Sequence, residues 1–222
     1  MYDKILWYME NIWAYVVQML PCMAVMCILW VLCRPYRFMR LKKQGLCSTR
    51  HREAALFVFV VFCTGLGALT LFPHGFWNEV ISIITSNGTW NSLTDFFPGT
   101  EGVPISFQRW PKNLIPFQEI RRIFWGGPWL WFMLWGNIGM FVPVGFFVAL
   151  LWRGATWYRC LWIGFLSSCV IETIQLFIGR VSDIDDVILN TIGALLGYLL
   201  YWMISLWTPE TVSQYYCQRK ED

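Results

Sequence analysis

Residues 186–207, DVILNTIGALLGYLLYWMISLW, decide the fold class, because no charged residue follows Asp186 within this stretch. About 20 apolar residues are long enough to cross roughly 30 Å of hydrocarbon as an α-helix. In lipid, every backbone N–H and C=O needs a partner within the protein, and a helix provides these partners within one segment. The stretch therefore predicts a membrane-spanning helix.

The composition of the whole chain agrees with a membrane protein. Hydrophobic residues make up 57% of the 222 residues and charged residues only 14%, whereas a soluble domain carries about 25% charged residues. We expect an all-α, polytopic membrane protein with about five transmembrane helices and a structured extracellular segment between helices 2 and 3. The other four predicted spans are Ile12–Cys33, Ala54–Phe72, Trp129–Leu151 and Tyr158–Ile178.

The distribution of basic residues predicts the orientation of the chain in a cell membrane. The short loop 34–53 carries seven Arg and Lys residues, and short loops rich in these residues lie in the cytoplasm. The loop that carries Arg153 and Arg159 lies on the same side, and so does the C-terminal tail. The N-terminus and the segment 73–128 are then predicted to lie outside.

The sequence contains no pattern that is typical of a metal or cofactor site. The eight cysteines form no C-x-x-C pair, and His51 and His74 lie far apart without clustered ligands. We therefore expect no metal and no cofactor. No long basic run is interleaved with aromatic residues, so we expect no nucleic-acid partner.

Four polar residues inside the predicted spans fall at a similar depth in the membrane. With a rise of 1.5 Å per residue, Asn137 lies about 12 Å inside the start of the third span. Glu172 and Gln175 lie about 10 Å and 6 Å before the end of the fourth span, and Asn190 lies about 6 Å inside the fifth. Polar groups are costly in hydrocarbon, so they indicate a functional site unless they serve as contacts between helices.

One face of the fifth span combines these polar groups with small residues. Asp186, Asn190, Gly193 and Gly197 follow spacings of four, three and four, which place them on the same side of a helix. Glycines at this spacing allow two helices to approach closely. We expect this face to meet the face of the third span that carries Asn137.

The turn between the fourth and fifth spans carries one arginine among three acids. It reads GRVSDIDD at residues 179–186. Ser182 and Asp185 have the spacing of a capping box for the following helix. Arg180 is expected to pair with a neighbouring acid or to bind a phosphate, for which the planar guanidinium is well suited.

Three blocks of sequence, in order, resemble the VanZ family. They are NLIPF at residues 113–117, GNIGMFVPVGF at 136–146, and the stretch 171–197, in which E-x-x-Q, Gly-Arg, spaced aspartates and N-x-x-G-x-x-x-G follow one another. The resemblance implies a small integral membrane protein of Gram-positive type. The family is associated with reduced sensitivity to teicoplanin and related lipid-bearing glycopeptides.

The resemblance covers about residues 113–197 and suggests three regions. Residues 1–112 hold two spans, the basic loop and the first part of the outer segment. Residues 113–207 form a VanZ-like core with three spans, and residues 208–222 form a cytoplasmic tail. The residues that we expect to bind a ligand are Asn113, Asn137, Glu172, Gln175, Arg180, Asp183, Asp186 and Asn190.

Three functions fit these residues, and we rank binding first. In the first, an outer-leaflet polar cavity binds a lipid-linked cell-wall precursor or a lipid-bearing drug such as a lipoglycopeptide antibiotic, without a reaction. In the second, an intramembrane enzyme modifies a lipid-linked cell-envelope component, with Glu172 and Asp186 as acid–base groups. In the third, an intramembrane acid couples protons in a transporter or flippase component, although no internal repeat is visible.

Overall fold

The computed structural model describes residues 2–72, 76–86, 112–123, 125–126, 128–178 and 182–219. These residues form α-helices and four two-residue strands. The helices are α1 (Tyr2–Lys43), α2 (Arg50–Leu71), α3 (Phe76–Ser86), α4 (Gln118–Ile123), α5 (Pro128–Leu151), α6 (Trp157–Phe177), α7 (Ile184–Trp207) and α8 (Pro209–Ser213). The strands are β1 (Leu46–Cys47), β2 (Lys112–Asn113), β3 (Ser182–Asp183) and β4 (Gln218–Arg219).

The described residues contain five helices that are long and apolar enough to cross a membrane, namely α1, α2, α5, α6 and α7. This confirms the predicted all-α, polytopic membrane fold. Between α2 and α5, the described residues form α3, β2 and α4, so this segment carries secondary structure of its own.

The first helix is longer than the sequence predicted. Residues 34–43 were expected to lie in a loop, but α1 continues through them to Lys43. Arg40, Lys42 and Lys43 occupy its last turn, where cations interact favourably with the negative end of the helix dipole. The basic residues therefore extend the helix beyond its apolar part instead of ending it.

Helices α5 and α7 pack closely because glycines remove the side chains between them. A Cβ atom at Gly193 would overlap the carbonyl oxygen of Ile138, and one at Gly197 would overlap that of Val142. Gly193 lies beside Ile138 and Gly197 lies beside Val142, so the residue numbers increase in the same direction along both helices. Helices α5 and α7 are therefore parallel. The predicted contact between the glycine face of α7 and α5 is confirmed.

Two pairs of short strands fix segments outside the long helices. In the first pair, β2 runs parallel to β3, with Asn113 opposite Asp183. In the second pair, β1 runs antiparallel to β4, so the C-terminal tail lies beside the loop that follows α1. That loop and the tail therefore lie at the same end of the bundle, in agreement with the predicted topology. Their cytoplasmic location stays a prediction.

Candidate functional site

Asp185, in the first turn of α7, joins this helix to the start of α4. Its side chain is only 1% exposed, and its carboxylate accepts hydrogen bonds from the backbone N–H groups of Phe117 (2.5 Å) and Ile120 (3.1 Å). The first N–H groups of a helix have no partner within that helix. Asp185 supplies the missing acceptor from another part of the chain, so it acts as a clamp on residues 117–120.

The backbone at Phe117 shows why this clamp matters. Phe117 has a φ of 64°, in the left-handed region that bulky residues rarely adopt, and its side chain is exposed. Such a conformation costs on the order of 1–3 kcal/mol and persists only where surrounding contacts hold it. The hydrogen bond to Asp185 is one of these contacts.

Asp183 connects Asn113 and Glu172 to the same turn. Its carboxylate accepts hydrogen bonds from the Asn113 side-chain amide at 3.3 Å and from the backbone N–H of Asp185 at 2.9 Å. Its own backbone N–H donates to a carboxylate oxygen of Glu172 at 2.8 Å. Asp183 therefore links the first sequence block to the end of α6 and the start of α7.

The predicted capping box of Ser182 and Asp185 is wrong. The N-cap of α7 is Asp183, whose side chain accepts from the N–H of Asp185. The carboxylate of Asp185 binds α4 instead of the backbone of its own helix. The reason lies in the tertiary structure. The pairing of β2 with β3 brings the N–H groups at the start of α4 within hydrogen-bond reach of Asp185.

Asn137 and Asp186 meet between α5 and α7, where the Asn137 amide donates a hydrogen bond to the Asp186 carboxylate. Glu172 is 7% exposed and binds the backbone of Asp183. The two residues that were candidates for acid–base catalysis, Glu172 and Asp186, are thus each bound to a different neighbour. Their hydrogen bonds also serve as contacts between helices.

Two further predicted residues bind other parts of the bundle. The Gln175 amide donates to the carbonyl oxygen of Thr70 at 2.9 Å and so ties α6 to α2. The Asn190 amide donates to the hydroxyl of Ser168 at 2.8 Å, and both side chains are buried between α6 and α7. Asn190 Oδ1 accepts no hydrogen bond from the described residues.

Arg180 and its predicted pairing lie outside the described residues. Glu172, Asp183, Asp185 and Asp186 together form what we call the acid cluster. Within the described ranges, no group of three His, Cys, Asp or Glu side chains is arranged to hold a metal ion.

An open groove of about 610 Å³ lies beside α4 and the start of α5. We call it the α4 groove. Two exposed cations line it, together with a polar amide and apolar side chains. The lining residues used below are Ile115, Gln118, Arg121, Arg122, Trp125 and Leu130.

The sequence reasoning missed Asp185, Arg121 and Arg122 as site residues. Asp185 was assigned to helix capping, and nothing local in the sequence distinguishes a capping carboxylate from a clamp on a distant segment. The two arginines did carry a signal, because Arg121-Arg122 stands between NLIPF and Trp125, in a segment that precedes a span. Tryptophan at the end of a span is typical of the level of the lipid headgroups, where arginine can meet a phosphate.

Comparison with known proteins gives the family of the chain. A family model described as VanZ/LLP1 matches residues 59–205, well over half of the chain. The match includes all three sequence blocks, and it also includes part of α2 and the segment between α2 and α5, which lay largely outside the resemblance seen in the sequence. A search of the curated proteins and a search of the solved structures each gave no match. The chain therefore belongs to the VanZ/LLP1 family.

Proposed function

We propose that this protein lowers the sensitivity of a cell to teicoplanin-type lipoglycopeptides by binding a lipid-bearing ligand at the outer face of the membrane. The ligand is a lipid-linked cell-wall precursor or the drug itself. The observation that carries this proposal is the α4 groove, which joins exposed cations to apolar side chains directly before a membrane span.

The acid cluster supports this function by holding the groove in place. Asp185 binds the first turn of α4, and Asp183 binds Asn113, at the start of the same segment. A binding site that is ordered before its ligand arrives loses less conformational entropy on binding. In this reading the acids position the groove, and the residues beside α4 contact the ligand.

Catalysis by the acid cluster has less support. A general acid or base must come within hydrogen-bond reach of the proton that it transfers. Glu172 is 7% exposed and its carboxylate accepts a hydrogen bond from the backbone N–H of Asp183, while the Asp186 carboxylate accepts one from the Asn137 amide. This favours a structural use of the carboxylates over the enzyme hypothesis.

The orientation in this proposal follows from the basic residues. Seven Arg and Lys residues lie in residues 34–53, at the end of the bundle opposite α4. Short loops rich in Lys and Arg favour the cytoplasm. The acid cluster and the α4 groove then lie at the outer face, where lipid-linked wall precursors and glycopeptides are found.

The test uses a susceptible Gram-positive host that expresses the wild type, Asp185→Asn or Glu210→Gln at equal membrane levels. Glu210 is an exposed acid of α8, at the other end of the bundle, and serves as the matched control. We expect the wild type and Glu210→Gln to raise the inhibitory concentration of teicoplanin but not of vancomycin, which lacks the lipid tail. Asp185→Asn is expected to lose most of this effect. If the wild type changes the response to neither drug, the proposed function is wrong.

A further inference from the structure

We infer that the α4 groove binds a phosphate-bearing amphiphile, with Arg121 and Arg122 on the phosphate and the apolar wall on the hydrocarbon chain. This inference rests on the proposed function in taking the groove as the ligand site, and it names the chemical class of the ligand. It favours a lipid phosphate over a glycopeptide as the occupant.

The polar side of the groove matches a phosphate. Gln118 and Arg121 are three residues apart on α4, and Gln118 and Arg122 are four apart, so the three side chains project from neighbouring positions of a single helix turn. Guanidinium groups bind phosphate oxygens through paired hydrogen bonds, which gives both strength and orientation. A carboxylate offers fewer charged oxygens to two arginines than a phosphate does, and a neutral sugar offers none.

The charges of the described lining residues also favour an anion. No acid is found among the described residues that line it. The nearby Asp185 is buried, and both of its carboxylate oxygens accept hydrogen bonds from the backbone of residues 117–120. Arg121 and Arg122 line the groove from the same helix.

The apolar wall gives the chain of an amphiphile a place to lie. Trp125 is 91% exposed and Ile115 is 66% exposed, and both line the groove beside Leu130 in the first turns of α5. Exposed tryptophan beside a membrane span is typical of the level of lipid headgroups. A ligand whose phosphate binds at α4 can therefore extend its chain along α5 into the hydrocarbon. The volume of the groove is also within the range of about 300–1,000 Å³ that is usual for small-molecule sites.

A phosphate group could come from a lipid or from free inorganic phosphate, and the apolar wall distinguishes the two. Free phosphate contacts only the polar side and exchanges its hydration for exposed arginines. An amphiphile buries apolar surface as well, and this burial adds a favourable hydrophobic contribution. We therefore expect the amphiphile to bind far more tightly than the free ion.

The experiment measures binding to the purified full chain in maltoside detergent, which contains no phosphate. Dodecyl phosphate is titrated by calorimetry against the wild type and against Arg121→Gln/Arg122→Gln. The matched control is Arg153→Gln/Arg159→Gln, which removes two exposed arginines from the opposite end of the bundle. Arg121→Lys/Arg122→Lys keeps the charge but removes the planar geometry, and thermal unfolding checks that every variant is folded.

We expect dodecyl phosphate to bind the wild type and the Arg153/Arg159 variant alike and to bind Arg121→Gln/Arg122→Gln at least tenfold more weakly, with the lysine variant in between. Inorganic phosphate should compete only at concentrations at least a hundredfold higher. Equal binding of dodecyl phosphate to the wild type and the glutamine variant would overturn the inference, and so would competition by inorganic phosphate at equal concentration. This assay contains no drug and no cell, so a negative binding result would not contradict the proposed effect on teicoplanin sensitivity. A negative result in the teicoplanin test would likewise not contradict binding of dodecyl phosphate.

Discussion

The carboxylate of Asp185 and the backbone N–H of Phe117 are 68 residues apart in sequence and 2.5 Å apart in space. One carboxylate oxygen binds this N–H and the other binds the N–H of Ile120. Through these two bonds, the start of a membrane-spanning helix holds the short helix that carries Arg121 and Arg122. The acid cluster and the α4 groove are therefore two parts of one structural unit.

Asp185→Asn should loosen residues 113–123 without unfolding the bundle. The amide has one acceptor oxygen in place of two, so at least one backbone N–H of α4 loses its partner, which costs about 1–3 kcal/mol. Hydrogen exchange followed by mass spectrometry should show faster exchange in a peptide that contains Phe117 and Ile120, with unchanged exchange in α6. Glu210→Gln is the control. Equal protection of this peptide in Asp185→Asn and the wild type would show that other contacts hold α4.

Gly193→Ala should destabilise the contact between α5 and α7. A Cβ at this position would overlap the carbonyl oxygen of Ile138 and press on Phe141, so the two helices must separate. Overpacking of this kind costs about 1–3 kcal/mol. Gly139→Ala is the matched control, because a Cβ there meets no atom within 4 Å. The measurement is thermal unfolding in detergent, and a lower midpoint for Gly139→Ala than for Gly193→Ala would contradict the packing described above.

The contributions of the Ser168 and Asn190 side chains to the free energy of unfolding should be coupled. Ser168→Ala removes the acceptor of the Asn190 amide in a buried site and leaves that amide without this partner. The cost is expected to be about 1–3 kcal/mol. In Asn190→Leu the same serine substitution should cost much less, because no amide is left to satisfy. A double-mutant cycle by unfolding in detergent measures this coupling, and additive effects would show that the hydrogen bond contributes little.

Cysteine labelling should reveal the orientation of the chain. Cys47 is exposed and lies in the loop after α1, while position 125 is highly exposed beside the α4 groove. With the basic loop in the cytoplasm, a membrane-impermeant maleimide should label Trp125→Cys in intact cells and should label Cys47 only after permeabilisation. A Cys33→Ser/Cys47→Ser/Cys217→Ser background removes both exposed native thiols and Cys217, so that labelling reports position 125. The reverse pattern would place the acid cluster and the groove in the cytoplasm.

The sequence by itself determined the membrane fold. Long apolar runs in lipid must satisfy their own backbone, so each run becomes a helix and the number of spans follows from counting them. The spacing of Gly193 and Gly197 also predicted which face of α7 meets α5, because helical periodicity is a local property of the chain. The depths of Asn137 and Glu172 followed from the same regular rise.

Only the tertiary structure decided what the polar residues do. Asp183 and Asp185 stand two residues apart, yet one caps α7 while the other binds a segment 65–68 residues earlier in the chain. That segment has no apolar pattern to reveal its position, and the parallel pairing of Asn113 with Asp183 fixes it. Hydropathy and periodicity report the environment that a residue needs, whereas a hydrogen bond between distant segments depends on where packing brings an unpaired donor. For this reason the α4 groove, which Arg121 and Arg122 line, could be identified only from the three-dimensional structure.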